Sequence, residues 1–226
     1  MSVKFYKSEN QVPLEMHKVR VVQKLNLLPV DERLRAIQKA GNNTFLLQNK
    51  DIYLDMLTDS GVNAMSDRQT AAMHLADDSY AGSETFSRLK MAMKEVFGTD
   101  NVLPAHQGRA CENILAERFV KPGMVAIMNF HFTTTKAHVT RCGGEVVEVL
   151  HKKGLIPQSD DPFKGDMDLQ ELRRVITEYG PEKVAYVRVE AGTNLIGGQP
   201  VSLENMLAVA DICHEFGVPS ILDASL

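Results

Sequence analysis

The chain has 226 residues, 44% of them hydrophobic and 24% charged, with a formal net charge of −4. This fits one globular α/β domain or a large piece of a bigger protein, and the mild acidity argues against a nucleic-acid or anionic-membrane partner. No apolar run is long enough to span a bilayer and the opening MSVKFYKSENQ has no signal-peptide core, so the expected location is the cytoplasm.

In chain order, residues 1–30 read as an extended arm with a helix near Leu14–Leu25. Asp31–Ala40 has acidic residues first, basic residues later and Gly41 after it, the signature of a short helix. Asn42–Phe45 is a turn, and Ile52–Leu57 alternates as a strand does. Ser66-x-x-Gln69 is a capping box for a helix to about Ala76. Glu84–Phe97 places Phe86, Leu89, Met93 and Phe97 on one helical face, with Gly98 as its stop. A strand buried by its continuous apolarity is expected at Met124–Asn129, and further strands at Glu145–Leu150, Val184–Val189 and Pro219–Asp223. Helices lie between them, one after Phe132, one over Leu169–Tyr179 and one from a Ser202 cap to Phe216. Strands alternating with helices of this length predict a parallel α/β sheet with right-handed crossovers.

One stretch organises the chain, Val102–Leu115, VLPAHQGRACENIL. It reads as strand, Gly turn and helix start, with Arg109 in the first helical turn. Unpaired N–H groups at a helix start attract an anion, Gly108 lets the backbone come close, and Arg109 adds a fork suited to phosphate.

Ligands of open parallel sheets bind beyond the C-terminal strand ends. The loops there carry Gln107-Gly108-Arg109, Phe132-Thr133, Asn194 and Asp223. Singly, Asp223 reads as a strand-end cap and Phe132 as core packing. Together, an anion cradle, an aromatic ring, an amide and a buried carboxylate suit a phosphorylated, planar, basic heterocycle, and pyridoxal 5'-phosphate fits that description. Cys111, Cys142 and Cys213 are widely spaced and read as reduced thiols. His106, His131 and His138 lack metal-ligand spacing and read as structural or solvent-facing.

The runs NTFLLQNKDIYLDMLTDSG (43–61), NAMSD (63–67), YAGSE (80–84), HQGRACEN (106–113), FTTTKAH (132–138), FKGDMDL (163–169), NLIGGQPVS (194–202) and LDAS (222–225) carry a specific resemblance. The chain resembles the N-terminal half of the β-eliminating lyases, the tyrosine phenol-lyase and tryptophanase family. The resemblance implies the α/β fold of type I pyridoxal-phosphate enzymes, the aspartate aminotransferase-like transferase fold. Its large domain is a mostly parallel sheet with helices on both faces, incomplete here. Residues 1–57 would form the arm and part of a small domain, and residues 58–226 the N-terminal part of the large domain. The activity implied is carbon–carbon lyase chemistry, releasing pyruvate, ammonia and a phenol or indole from an amino acid.

Carried over by matching position, the resemblance gives Gln107, Gly108 and Arg109 the cofactor phosphate. It gives Phe132 stacking on the pyridine, and Asn194 a hydrogen bond to the ring oxygen or the substrate carboxylate. Asp223 would pair with the ring nitrogen. Thr58 and Ser60 would line the site, and Phe45 and Thr133 match aromatic-pocket residues of the phenol-lyase branch. Tyr80 is similar to the general acid that reaches the leaving group from a neighbouring subunit, with a loop anchor as its plainer reading. Gly61 and Asp78 fall near the family's monovalent-cation (K⁺) site, although Glu is the usual residue at Asp78. A homo-oligomer, dimer or tetramer, is implied.

Two departures stand out. Leu226 occupies the position of a family Arg, and Glu190-Ala191-Gly192 differs from both named enzymes, so the substrate could be neither tyrosine nor tryptophan. No lysine follows Lys183, whereas the family's Schiff-base lysine comes after the Asp. The chain alone is therefore expected to be inactive. The alternatives are half of a split enzyme, an inactive remnant, or another fold type I enzyme such as an aldolase or aminotransferase.

Overall fold

The computed structural model describes residues 2–4, 11–13, 26–58 and 64–225. The helix expected near Leu14–Leu25 lies outside them, as do Ser60, Gly61 and Leu226. Contacts divide the chain into two compact units, Met1–Leu89 and Lys90–Leu226; the boundary read from the sequence fell at 57/58.

In the first unit, β1 (Ser2–Lys4) pairs antiparallel with β2 (Gln11–Pro13). Helix α1 (Val30–Lys39) has Asp31 and Glu32 in its first turn and Lys39 in its last, which complements the helix dipole. The turn at Asn43 becomes a short 3₁₀ helix, Thr44–Leu46, because the Asn43 side chain accepts the Phe45 N–H at 3.0 Å. Helix α2 (Asp67–Leu75) starts where the capping box puts it, with Ser66 Oγ accepting the Gln69 N–H at 3.0 Å.

The strand expected at Ile52–Leu57 does not form; the segment is irregular, with Asp55 Oδ1 accepting the Leu57 N–H. A side-chain bond of that kind offers the backbone an alternative to a ladder. Helix α3 (Glu84–Phe97) is as long as predicted. Its start is tied to Asp77, which accepts from the Thr85 N–H at 2.8 Å and the Thr85 hydroxyl at 2.7 Å.

The second unit is a four-stranded parallel sheet. Its strands are β3 (Val125–Met128), β4 (Glu145–Glu148), β5 (Val184–Glu190) and β6 (Ser220–Asp223), in the order β4-β3-β5-β6. Helices α4 (Gly108–Phe119) and α5 (Thr133–Arg141) cover one face, burying Ala116, Val120, Ala126, Met128, Val139 and Tyr186. Helices α6 (Leu169–Tyr179) and α7 (Leu203–Phe216) cover the other, over Ile127, Leu172, Ile176, Val187, Val209 and Ile212. Alternate residues of β3 thus feed opposite cores, and its continuous apolarity reflects burial on both faces. No helix among the described residues is long and apolar enough to cross a membrane.

The strand expected before Pro104 is absent; residues 99–105 are irregular. Pro104 cannot donate to a ladder, and Leu103 stays 76% exposed. Helix α4 nevertheless begins at Gly108.

Candidate active site

The strand order reverses between β3 and β5, since β4 lies to one side of that pair and β6 to the other. A crevice beyond the strand ends at such a switch point is where open α/β sheets bind ligands. The loops leaving it are Asn129–Phe132 after β3 and Ala191–Asn194 after β5.

Asn129 is fully buried and stitches these loops together. Its amide donates to Gly165 O (2.9 Å), Glu190 O (3.0 Å) and Thr193 Oγ1 (3.1 Å), and its carbonyl accepts the Glu190 N–H at 3.0 Å. Gly165 must be glycine here, because a Cβ would stand 2.5 Å from Thr193 Oγ1 and 2.7 Å from Gln199 O.

Register decides which way the ionisable residues point. The β3–β5 pairing shifts between Val125 and Ala126, which pair with Val184 and Tyr186 and leave Ala185 as an extra residue. Past this bulge, Val187 and Val189 face α6 and α7, so Arg188 and Glu190 face α4 and α5. In the parallel β5–β6 pair, Arg188 stands beside Ile221 and Glu190 beside Asp223. Four ionisable groups therefore meet. Arg188, whose side chain is 4% exposed, donates from Nη2 to Asp223 Oδ2 at 2.5 Å and from Nη1 to Glu190 Oε2 at 3.3 Å. Glu112 of α4 lies 4.0 Å from the same guanidinium.

Burial pushes the Asp223 carboxyl up, but the bonds from Ser225 and Arg188 outweigh it and hold the group below the ordinary carboxylate range. Burial dominates at Glu190 and raises it despite Arg188. Burial also pushes the neighbouring Tyr186 phenol up to about 12. One buried cation faces three carboxylates, so the cluster has room for a further cationic group.

The helix starts differ between the two faces. On the α6/α7 face, Asp168 accepts from the Gln170 and Glu171 amides, and Ser202 Oγ accepts the Asn205 N–H at 3.1 Å. On the α4/α5 face neither Gln107 nor Phe132 caps its helix. In α4 the Ala110 N–H donates to Gln107 O at 3.0 Å, which leaves the Gly108 and Arg109 amides for an anion, on the face that carries Arg188 and Asp223. Arg109 makes no hydrogen bond or ion pair among the described residues, and the space beside Gly108 is open. Glu112 joins the two helices, accepting from Thr134 Oγ1 at 2.5 Å and from Thr135 Oγ1.

The network around Asp223 reaches α4 at Glu112, α5 at Thr134 and Thr135 and, through the Asn194 N–H to Glu190 Oε1 (3.2 Å), the Asn194 loop; among the described residues no hydrogen bond or ion pair joins it to Gln107, Gly108, Arg109, Phe132 or Thr133. Phe132 is half-buried at the start of α5, and Thr133, expected in a loop, is its first residue. The expected sites in the first unit are surface positions: Phe45 is 76% exposed, Tyr80 is fully exposed, and Thr58 and Asp78 are exposed.

Among the described residues no three His, Cys, Asp or Glu side chains are grouped to hold a metal ion. Sequence reasoning missed Arg188, Glu190 as its partner, Glu112 and Asn129. The available signal was a charge at each of two alternate positions in the apolar run VAYVRVE, since a buried charge needs a partner.

The sequence profile of the family described as beta-eliminating lyase matches residues 55–225. A tyrosine phenol-lyase from Nostoc punctiforme is 43% identical over 211 residues, covering 93% of this chain and 45% of the relative. The tyrosine phenol-lyase of Fusobacterium nucleatum is 41% identical over 213 residues, with coverages of 94% and 46%. The chain therefore spans about half the length of these curated relatives. Among solved structures, the alanine aminotransferase from Pyrococcus furiosus superposes with a TM-score of 0.51 at 15% identity, over 68% of this chain and 38% of that one, a likeness of fold. With three-quarters of its residues inside the family profile, and a parallel sheet of the expected kind, the chain belongs to the beta-eliminating lyase family.

Proposed function

We propose that the full-length protein is a pyridoxal-phosphate-dependent lyase that β-eliminates an aromatic or related amino acid to pyruvate, ammonia and the leaving group. One observation carries the reading: two uncapped helix starts and the anionic Asp223 belong to the same face of the sheet. The residues fit the cofactor. A phosphate finds open amides and an unpaired Arg109, and a protonated ring nitrogen finds surplus carboxylate at Asp223. When bound, the cofactor supplies the electron sink that makes the α-proton of an amino acid acidic.

The chain's own residues act around that chemistry. The amides of Gly108 and Arg109, with the Gln107 side chain, bind phosphate, and the Arg109 guanidinium neutralises it. Phe132 offers a flat apolar surface at the start of α5. Asp223 keeps a proton on the ring nitrogen, because its carboxyl is held ionised at neutral pH. The Asn194 amide orients an oxygen of the cofactor or of the substrate carboxylate. Thr133, the first residue of α5, would line the substrate, and, as the family resemblance implies, the Tyr80 hydroxyl of a neighbouring subunit would protonate the leaving group. The relatives' printed name, tyrosine phenol-lyase, favours tyrosine among the substrates.

The test is the full-length protein loaded with pyridoxal phosphate and offered tyrosine, tryptophan and S-alkyl cysteines in turn. Pyruvate with stoichiometric free ammonia is expected from at least one of them. Amino transfer to an added keto acid, with no pyruvate, would replace the lyase with an aminotransferase.

A further inference from the structure

The cluster at the strand ends has a centre that is none of the residues expected to touch the cofactor. We propose that Arg188 is a positioning residue, a buried guanidinium that locks Asp223 to the α4, α5 and Asn194 elements and so sets how that carboxylate meets the cofactor ring. The inference rests on the pyridoxal-phosphate reading of the site.

The connections can be followed atom by atom. Arg188 Nη2 donates to Asp223 Oδ2 at 2.5 Å, which leaves Oδ1 to the Ser225 N–H (3.1 Å) and the Ser225 hydroxyl (2.7 Å). The carboxylate plane is thereby held at both oxygens. Arg188 Nη1 donates to Glu190 Oε2, and Glu190 Oε1 accepts the Asn194 N–H, so the same guanidinium orients the loop bearing the amide. Toward the helices, Arg188 lies 4.0 Å from Glu112, which stands one turn beyond Arg109 and accepts from the first turn of α5. One side chain thus bears on all four elements that carry expected cofactor contacts.

Arginine suits the role because its planar fork can serve two carboxylates at once, which a lysine ammonium does less well. A guanidinium that served packing alone would have no reason to lie at the strand end among three carboxylates, since burying it is unfavourable unless it is paired.

The electrostatic consequence has a definite sign. The groups facing the guanidinium are Glu112 from α4, Tyr186 and Glu190 from β5, and Asp223 from β6. Glu190 and Asp223 oppose one another's ionisation, and Arg188 is the only cation of the set. Its removal lets Asp223 take up a proton at higher pH, and the ring nitrogen then loses its anionic partner.

The experiment compares full-length wild-type, Arg188→Gln and Arg188→Lys proteins loaded with pyridoxal phosphate. The readouts are the cofactor dissociation constant and the pH at which the bound-cofactor absorption band is lost on acidification, with circular dichroism and thermal melting alongside. For Arg188→Gln the account expects cofactor binding weaker by about tenfold to a hundredfold, as for loss of a buried charged hydrogen bond, and a midpoint moved to higher pH. Arg188→Lys should fall between the glutamine variant and wild type in both. If Arg188→Gln does not fold, Arg188→Lys alone decides, since it must still bind more weakly and titrate at higher pH. Variants that melt lower but bind and titrate like wild type would leave Arg188 a purely structural residue and overturn the proposal. A wild-type protein that binds no pyridoxal phosphate would instead overturn the functional reading beneath it.

Discussion

The two units of the chain are built by the same local rules and differ in what those rules achieve. In the first, α1 and α2 form with their expected starts and lengths, yet neither buries a residue. Ala40 is the one buried hydrophobic residue described there, while Leu54, Met56, Leu75 and Tyr80 stand in the open. In the second, alternate faces of one sheet fill two cores, and Ile127, Met128, Leu172 and Ile176 lose all contact with solvent. Caps and periodicity are therefore enough to place a helix along the chain, but apolar burial needs a facing surface. That surface is supplied within the second unit and is absent from the described residues of the first.

Substitutions can sharpen or break this contrast. The largest effect is expected at Asn129, where alanine would strand the Glu190 N–H and the Gly165 carbonyl in a dry interior; urea unfolding should show a loss of about 3–4 kcal/mol. Leu172→Ala should remove about 3 kcal/mol by leaving a cavity between α6 and the sheet. The matching change in the first unit, Leu75→Ala, should stay within about 0.5 kcal/mol. A comparable loss at Leu75 would mean that the first unit has a packed interior after all.

Ser202→Ala comes next. It removes the α7 cap and the bond from Ser202 Oγ to Asp166 Oδ2 at 2.9 Å, for about 1–2 kcal/mol. The smallest effect is at Asp77, on the surface. Bonds from the Thr85 hydroxyl and amide hold its carboxyl well below the ordinary carboxylate range. A depressed folded-state value contributes stability above the unfolded value and loses it as pH falls toward the folded one. Protection of the Thr85 amide, relative to its intrinsic exchange rate, should therefore fall on acidification below the ordinary carboxylate range, while protection in β5 does not change.

Much of this was legible in the amino-acid sequence because it is local. Ser202 marks the start of α7, Ser66 that of α2, and the apolar run at Val184 announces β5. Two expected strands do not form. Val102–Pro104 has the apolarity of a strand but a proline that cannot pair, and Ile52–Leu57 has alternation without a neighbour to bond. Phe132 and Asn194 follow β3 and β5, and Asp223 ends β6, because alternating strands and helices dictate where those loops lie; Gln107 instead follows the irregular residues 99–105. Arg188 was not legible, because its direction depends on the one-residue bulge between Val184 and Tyr186. Register of that kind belongs to the paired sheet, and no single strand carries it.

The most direct test of the account is a crystal structure of the full-length protein grown with pyridoxal phosphate. The account predicts phosphate oxygens on the Gly108 and Arg109 amides, the ring nitrogen on Asp223, and Arg188 still paired with that carboxylate. A phosphate bound away from α4, or a ring nitrogen facing any group other than Asp223, would contradict it.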